Sequence, residues 1–351
     1  MSQAKKVYIL SYYFPPCNLT ASERIYSWAK YLKNGDYYPI IITRNWDIPV
    51  ANSTTSAFVS SGTEIRIENH DTYEVHYLPY KSSIKDKLFI KLDGTKFYFI
   101  YLIASFIFSI LSVVSIRFSP YYFFYIYLKE LLQNQKGKLQ LIVSASPFEL
   151  FGIAFKLSKL FALQWIADYR DDWSTSSLHK ENFVKQFLHK VFRYYEKRWL
   201  QSADCFLSVS DHYVQKISAF IHKKGFVMTN GYMSENYTKK YELPNKFTLT
   251  YVGSIYPSQP IEKILNGIIS FINSKSRTCQ FECVFVGIQN ETQSMNRISQ
   301  AILGYESYFR FTGRIPKQEA IAIQAASHLL LICAHENLKG IPGSKLYEYI
   351  A

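Results

Sequence analysis

The stretch LIVSASPFELFGIAFKLSKLFALQWIADYRDDW, residues 141–173, contains two short apolar runs that flank a segment with helical periodicity. The first run begins two residues before this stretch and covers 139–144, and the second covers 164–167. Both have the length and composition of buried β-strands, and the segment between them predicts a helix over 149–160. A strand, a helix and a second strand in this order give two parallel strands joined by a crossover. The stretch therefore favours an α/β fold with a doubly wound sheet.

The same alternation of strands and helices continues on both sides of this stretch. We predict further strands in the first part of the chain at residues 7–10, 40–43, 65–67, 75–78 and 205–209. Helical periodicity between several of them is found at 22–32, 121–132 and 183–200. Residues 1–243 therefore form one predicted Rossmann-like domain.

A second unit begins after the polar segment near Pro244. Strand-like runs start at Phe247, Phe281, Tyr308 and His328, and predicted helices lie between them at 261–273, 292–303 and 317–326. We therefore predict a second Rossmann-like domain over 244–351 that faces the first across a cleft, because open parallel sheets bind ligands at the carboxyl ends of their strands. This unit has only about four strands and ends within a predicted helix. We expect the second domain to be incomplete, and the 351-residue form to be a truncated, less stable and weakly active product.

Composition limits the classes of protein to which the chain can belong. A hydrophobic content of 48% over 351 residues suits globular domains, and five cysteines without a CxxC pair or a Cys/His cluster give no disulfide framework or metal site. The formal charge of +13 predicts an anionic partner, which could be a nucleic acid, an acidic membrane surface or a phosphorylated substrate. Because the basic residues are dispersed and no nucleic-acid-binding motif is found, a nucleic-acid partner is not expected.

An uncharged apolar segment, FYFIYLIASFIFSILSVVSI at 97–116, interrupts the first unit as an insert at about 97–117. About twenty apolar residues can span a bilayer as a helix, but a single crossing here would place parts of one sheet on opposite sides of the membrane. We therefore favour monotopic attachment to an anionic membrane surface, with burial in the protein core as the alternative. The N-terminal apolar run is too short for a signal peptide, so we expect a cytoplasmic protein on the inner face of the plasma membrane.

A cluster of charged residues that could take part in catalysis follows the predicted strand at 164–167. Asp168, Arg170 and Asp171 stand in the sequence ADYRDDW at its carboxyl end, where doubly wound sheets place their chemistry. We predict that they are catalytic, with Asp168 or Asp171 orienting or deprotonating an acceptor hydroxyl; the alternative is a salt-bridged turn. Arg24, after the Pro-Pro loop of the first strand, could contact the acceptor or a phosphate, or be an exposed helix arginine.

Two loops that follow strands of the second unit are candidates for phosphate or nucleotide binding. Gly253 allows a ligand to approach the backbone closely, and Ser254 with the helix N-terminus near Ile261 could receive a phosphate. Gly313 and Arg314 follow a later strand, at a position typical of loops that pack on a nucleotide base. A plain structural turn is the alternative for both loops.

Several segments, taken in order, resemble glycosyltransferase family 4, the retaining, nucleotide-sugar-dependent enzymes of GT-B fold, and in particular bacterial members that build surface polysaccharides. Residues 9–32 are similar to the first strand and helix of that family, and 141–173 to its paired strands ending in Asp-x-Arg-Asp-x-Trp. YVGSIY (251–256) and GIPGSKLYEYIA (340–351) are similar to the two halves of its donor site. The likeness covers most of the chain except about 45–119.

The resemblance implies specific roles for residues near the end of the chain. Glu348 corresponds to the residue that holds the ribose of the nucleotide, Lys345 to the basic residue that faces the diphosphate, and Gly343 lets the backbone approach the donor. It also implies a hexosyltransferase that moves a sugar from a nucleotide-diphosphate donor to a growing, lipid-linked surface glycan such as capsule, O-antigen or exopolysaccharide, with no metal or other cofactor. A nucleotide-sugar epimerase of the same fold and an inactive, truncated, membrane-associated remnant are the alternatives.

Overall fold

The computed structural model describes residues 5–17, 19–46, 58–135, 137–175, 183–233, 239–274, 280–336 and 343–351. The chain forms two compact units, Met1–Thr229 and Asn230–Ala351, which we call the first and the second unit. No helix or strand is found in the described parts of the segment that connects them, 228–233 and 239–246. The domain boundary predicted at 243/244 falls in this same segment.

The first unit contains an eight-stranded sheet in the order β3-β4-β2-β1-β5-β6-β7-β8. Its strands are β1 (Lys5–Ser11), β2 (Tyr37–Arg44), β3 (Arg66–Asn69), β4 (Glu74–Leu78), β5 (Leu139–Ala145), β6 (Leu163–Tyr169), β7 (Cys205–Ser208) and β8 (Gly225–Val227). All neighbouring strands pair in parallel except β3, which pairs antiparallel with β4. The predicted α/β class and the predicted strands are confirmed, and β8 is an addition to them.

Helices cover both faces of this sheet. The helices of the first unit are α1 (Thr20–Tyr31), α2 (Ile84–Leu92), α3 (Tyr98–Val114), α4 (Tyr122–Gln133), α5 (Glu149–Leu157), α6 (Phe183–Leu200) and α7 (Asp211–Ile221). Local capping explains where two of them begin. Ser83 and Asp86 form a capping box at α2, and Ser210 Oγ accepts a hydrogen bond from the Tyr213 backbone N–H, at 3.3 Å, at α7.

Alternation along the central strands explains why both faces of the sheet are covered. Leu10 of β1 packs into the core that also contains Phe124 of α4 and Leu150 of α5, whereas its neighbour Ile9 packs with Ile25 of α1. Both strand residues are fully buried. A strand that is buried on both faces reads as a continuous apolar run, which is why the sequence pattern identifies it.

The second unit contains a smaller parallel sheet in the order β11-β10-β9-β12. Its elements are β9 (Phe247–Val252), α8 (Ile261–Ser274), β10 (Phe281–Val286), α9 (Thr292–Ala301), β11 (Phe309–Thr312), α10 (Lys317–Ala325), β12 (Leu329–Leu330) and α11 (Ser344–Ile350). Leu265 of α8 and Ile298 of α9 pack against Phe285 of β10 in its core. The predicted alternation of strands and helices is therefore confirmed here as well.

The predicted apolar insert at 97–117 corresponds to α3, a helix of 17 residues. Within the described ranges, no helix is both long enough and apolar enough to cross a bilayer. Ser112 and Val113 are the residues of α3 that are buried. The alternative in which this segment packs as a core helix therefore does not describe α3, whose outer side is exposed.

Candidate functional site

Asp168 lies at the carboxyl end of β6 and is fully buried. Arg24 of α1 donates to its Oδ1 from Nη2 at 2.7 Å, and from Nε to both carboxylate oxygens at 3.1–3.2 Å. Ser144 Oγ, at the end of β5, donates to Oδ2 at 2.8 Å. Since protein groups occupy both carboxylate oxygens, this geometry suits a residue that positions Arg24 rather than one that contacts an acceptor.

Arg24 joins three parts of the first unit. Besides Asp168, its guanidinium contacts two carbonyl oxygens of the chain that leaves β8, donating from Nη1 to Met228 O at 2.8 Å and to Thr229 O at 3.1 Å. Only 6% of Arg24 is exposed, so it is not an exposed helix arginine. Its donors are directed at the protein, which holds the end of the first unit against α1 and β6.

Arg170 and Asp171 are the members of the predicted cluster that reach the surface. The side chain of Asp171 is 69% exposed, and its Oδ2 lies 3.7 Å from Nη2 of Arg170. Arg170 donates from Nε to Ala145 O at 3.2 Å, and its guanidinium carbon lies 5.6 Å from the centre of the Tyr13 ring. The structure thus brings Asp168, Arg170 and Asp171 to one edge of the sheet, with only the latter two accessible to a ligand.

An aromatic pair that the sequence reasoning missed lies at the same edge. Tyr13, two residues after β1, is stacked on Trp46 with the ring centres 5.8 Å apart and an angle of 19° between the planes. Tyr13 is partly exposed and borders Arg170. The sequence SYYFPP after the first strand could have indicated an aromatic residue at this position, because residues that follow parallel strands line the binding edge of the sheet.

Glu196 of α6 is a second group that the sequence reasoning missed. It is fully buried and accepts hydrogen bonds from Tyr169 Oη at 2.8 Å and from the Ser174 backbone N–H at 3.1 Å. It therefore ties together the two ends of the segment that carries Arg170 and Asp171. Burial raises the pKa of Glu196 above its ordinary value, although these hydrogen bonds oppose the shift.

The raised pKa of Glu196 predicts a pH dependence of stability. The folded protein retains the Glu196 proton to higher pH than the unfolded chain does, so ionisation of Glu196 lowers the free energy of unfolding. We expect the wild type to lose stability relative to Glu196→Gln as the pH rises from about 4 through the raised pKa. Urea unfolding at several pH values measures this difference. Glu130→Gln, at an exposed glutamate of α4, is the control, and equal pH profiles for both variants would contradict the assignment.

In the second unit, a glycine follows each of three neighbouring strands at the carboxyl edge. Gly253 comes after β9, Gly287 after β10 and Gly313 after β11. Gly253 has a φ of +125°, which side chains rarely adopt, and the atom closest to the position of a Cβ there is Cε of Lys345, at 3.7 Å. The backbone conformation therefore favours glycine at 253, and Lys345 lies within ordinary contact distance of this position.

Lys345 and Glu348 lie next to this glycine on α11. Nζ of Lys345 is 2.6 Å from Oε2 of Glu348, and their side chains are 31% and 16% exposed. The Val252 backbone N–H donates to Tyr349 Oη at 3.2 Å, which fixes α11 to the end of β9. Burial raises the pKa of Tyr349 to about 12. The structure thus brings Gly253, Lys345 and Glu348 together, and the exposed Gly343 immediately precedes α11.

The other two predicted residues of the second unit lie in different surroundings. Ser254 Oγ donates to Glu291 Oε1 at 2.5 Å, so its hydroxyl stabilises the loop after β9. Arg314 is exposed in the loop after β11 and forms no ion pair with another described residue. In the described part of the chain, no group of three or more His, Cys, Asp or Glu side chains is placed to hold a metal ion.

The conformation of Gly253 gives a prediction for the second unit. Gly253→Ala is expected to destabilise this unit by about 1–2 kcal/mol, because an L-residue with positive φ brings its Cβ against the backbone. Gly267→Ala is the matched control, since it lies in the interior of α8 with nothing within 4 Å of its Cβ position, and it should stabilise by roughly 0.5–1 kcal/mol. Amide hydrogen exchange in β9 and β10 measures both changes. Protection that changes in the same direction in both variants would refute the prediction.

Comparison with solved structures relates this arrangement to known proteins. The chain is similar to a sucrose-phosphate synthase from Thermosynechococcus elongatus, with 13% identity and a TM-score of 0.58 over 93% of this chain and 74% of that one. It is also similar to an α,α-trehalose 6-phosphate synthase from Burkholderia multivorans, with 9% identity and a TM-score of 0.59 over 99% of this chain and 79% of that one. The chain has a GT-B fold, with two Rossmann-like domains.

A third similar structure is the N-terminal domain of a Candida albicans trehalose-6-phosphate phosphatase. It has 12% identity and a TM-score of 0.52 over 93% of this chain and 78% of that one. Neither the family models nor the curated proteins that were compared with the sequence give a match. At these identities the likeness establishes the GT-B fold alone, and assignment to family 4 stays a prediction.

Proposed function

We propose that the chain is a glycosyltransferase that binds a nucleotide-diphosphate sugar at the carboxyl edge of the second sheet. The observation that carries this proposal is the grouping of Lys345 and Glu348 beside Gly253. A cation, a carboxylate and an exposed backbone edge are the groups that a nucleoside diphosphate requires, because its phosphates need positive charge and its ribose hydroxyls need an acceptor. The named activities of two of the similar structures, sucrose-phosphate and trehalose-6-phosphate synthesis, support sugar transfer in general.

The chemistry follows from the charges of this group. Without ligand, the Lys345 ammonium is neutralised by Glu348. A bound diphosphate supplies a stronger anionic partner, so Lys345 turns to the phosphates and Glu348 becomes available to the ribose hydroxyls. Negative charge builds up on the diphosphate as the bond to the sugar breaks, and Lys345 stabilises that charge. The proposed reaction therefore uses a protein cation and needs neither a metal nor another cofactor.

The acceptor side of the reaction is proposed for the first unit. Asp171 is exposed and able to accept a proton or a hydrogen bond from an acceptor hydroxyl. Arg170 and the ring of Tyr13 provide a polar and an apolar surface beside it. Asp168 and Arg24 act as positioning residues, because their hydrogen bonds hold the strand ends that carry these groups.

The finer assignment is also part of the proposal. The order of motifs along the chain supports a retaining hexosyltransferase of family 4 whose acceptor is a lipid-linked surface glycan. The formal charge of +13 supports binding to an anionic membrane. The proposed transfer then takes place on the cytoplasmic face of that membrane, where such an acceptor is located. Arg314, exposed after β11, is proposed to lie near the nucleotide base.

Transfer of labelled sugar tests this function. The full chain is incubated with labelled nucleotide-diphosphate sugars and a bacterial lipid extract, and we expect label in the lipid fraction. Glu348→Ala should lower this transfer by roughly 5- to 150-fold at donor concentrations below saturation, which corresponds to the loss of a charge-assisted hydrogen bond. Glu306→Ala should not, since Glu306 precedes β11 at the opposite edge of the sheet. Release of a free sugar isomer from the donor alone would instead identify an epimerase, and no turnover of any donor would refute the proposal.

A further inference from the structure

The helix α3 has its apolar side chains on the outside. Six large residues of α3 are 41–57% exposed: Phe99, Ile100, Leu102, Ile103, Ile107 and Val114. Five of them recur at intervals of three or four residues, which places them along one side of the helix. An amphipathic helix of a soluble domain normally turns this side toward the core.

The opposite side of α3 carries its polar residues, and it faces the protein. Ser112 is buried and donates both to Ser109 O at 3.1 Å and to Glu149 Oε1 at 3.3 Å. Ser105 and Ser109 lie on the same side of the helix, and Ser109 Oγ donates to Ser105 O at 2.7 Å. The bond from Ser112 to Glu149 of α5 and the burial of Ser112 and Val113 therefore mark the side of α3 that faces the unit, and its most apolar side is left exposed.

The apolar surface continues onto the two helices that flank α3. Aromatic rings of the three helices contact one another. The ring centres of Tyr101 in α3 and Phe89 in α2 are 5.1 Å apart, and those of Phe106 in α3 and Phe187 in α6 are 6.2 Å apart. Exposed residues on the flanking helices are Ile84 and Ile90 of α2 and Phe183, Val184 and Phe187 of α6. Together with the six residues of α3 they form what we call the outer patch. Many large apolar side chains exposed on adjoining helices are typical of an interaction site.

Positive charge borders the outer patch. Residues 81–117 contain six basic side chains (Lys81, Lys85, Lys87, Lys91, Lys96 and Arg117) and two acidic ones (Asp86 and Asp93). Asp86 is buried and accepts hydrogen bonds from Tyr80 Oη and Ser83 within the capping box of α2. The surface charge of this segment is therefore strongly positive, and Lys87, Lys91 and Lys96 are exposed.

We propose that the outer patch docks the chain on an anionic lipid bilayer, with α3 lying in the plane of the membrane surface. Apolar side chains enter the acyl boundary while the neighbouring lysines contact anionic headgroups. A second copy of the chain fits this surface less well, because a symmetric pair would bring the lysines of both copies together. The proposal deepens the membrane association proposed above by assigning the surface responsible, and vesicle binding can fail while transfer to a soluble acceptor persists.

Vesicle flotation with the full chain tests the docking surface. The wild type should bind vesicles that contain phosphatidylglycerol, and should bind pure phosphatidylcholine vesicles less tightly. Ile103→Glu combined with Ile107→Glu should lower binding by more than about tenfold, because two charges then face the acyl boundary. Leu303→Glu is the matched control, since this leucine is 78% exposed in the second unit, and it should bind like the wild type.

Two further measurements keep the test decisive. Lys87→Glu combined with Lys91→Glu should lower binding to the anionic vesicles by roughly tenfold or more, an effect that added salt reproduces in the wild type. Light scattering measures the oligomeric state of each variant. Wild-type protein that binds neither kind of vesicle, or a dimer that only the isoleucine variants dissociate, would overturn the proposal. Wild-type binding by the isoleucine variants would overturn it equally.

Discussion

Asp168→Ala is expected to destabilise the first unit by about 3–5 kcal/mol, because it leaves the charge of Arg24 buried without its carboxylate. Arg24 and Asp168 are 6% and 0% exposed, so water cannot replace the lost partner without rearrangement. Urea unfolding followed by tryptophan fluorescence measures this effect in the first unit alone, since Trp28, Trp46, Trp165, Trp173 and Trp199 all precede residue 229.

Two controls separate this effect from a general loss of acidic residues. Asp171→Ala removes a carboxylate that is 69% exposed and should change stability by no more than about 0.5 kcal/mol. Replacing both Arg24 and Asp168 with apolar residues should cost less than Asp168→Ala alone, because no unpaired charge remains. Equal costs for Asp168→Ala and Asp171→Ala would show that the buried pair does not have the role we assign to it.

Lys345→Ala is expected to weaken binding of the nucleotide-diphosphate donor by about 1–3 kcal/mol, the range for a charge-assisted hydrogen bond. Glu348→Ala should have a similar effect through the ribose. Isothermal titration calorimetry with the nucleoside diphosphate that binds the wild type measures both changes.

The matched control for Lys345 is Lys246→Ala. Lys246 is also a partly exposed lysine paired with a glutamate, with Nζ 3.5 Å from Oε1 of Glu282, but it precedes β9 at the opposite edge of the sheet. Its replacement should leave donor affinity unchanged. Unchanged affinity in both Lys345→Ala and Glu348→Ala would remove the donor site from this edge.

Most strands of the two sheets were predictable because they are short apolar runs, and most of them are followed by a helix. β8 was not, since Gly225–Val227 is too short to give a pattern. Its glycine lies against Phe206 of β7, with the position of a Cβ only 2.3 Å from Cζ of that ring. A close approach between elements of this kind depends on tertiary packing, which local periodicity does not contain.

The candidate site was predictable in its position but not in its internal contacts. Strand order placed Asp168, Arg170 and Asp171 at one edge of the sheet, as the structure does. The pairing of Asp168 with Arg24 joins residues 144 positions apart, so nothing in either local sequence indicated which carboxylate is buried. Glu196 was missed for the same reason, because its partners Tyr169 and Ser174 belong to a different element.

Binding of one nucleoside in three phosphorylation states tests whether the second unit binds a nucleotide-diphosphate donor. The nucleoside, its monophosphate and its diphosphate are titrated into the full chain for each common base. We expect that the nucleoside of one base binds, that its diphosphate binds most tightly, and that Lys345→Ala removes most of the advantage of the diphosphate over the monophosphate. If no nucleoside diphosphate binds, or if the diphosphate binds no more tightly than the nucleoside, the second unit is not a nucleotide-sugar donor domain.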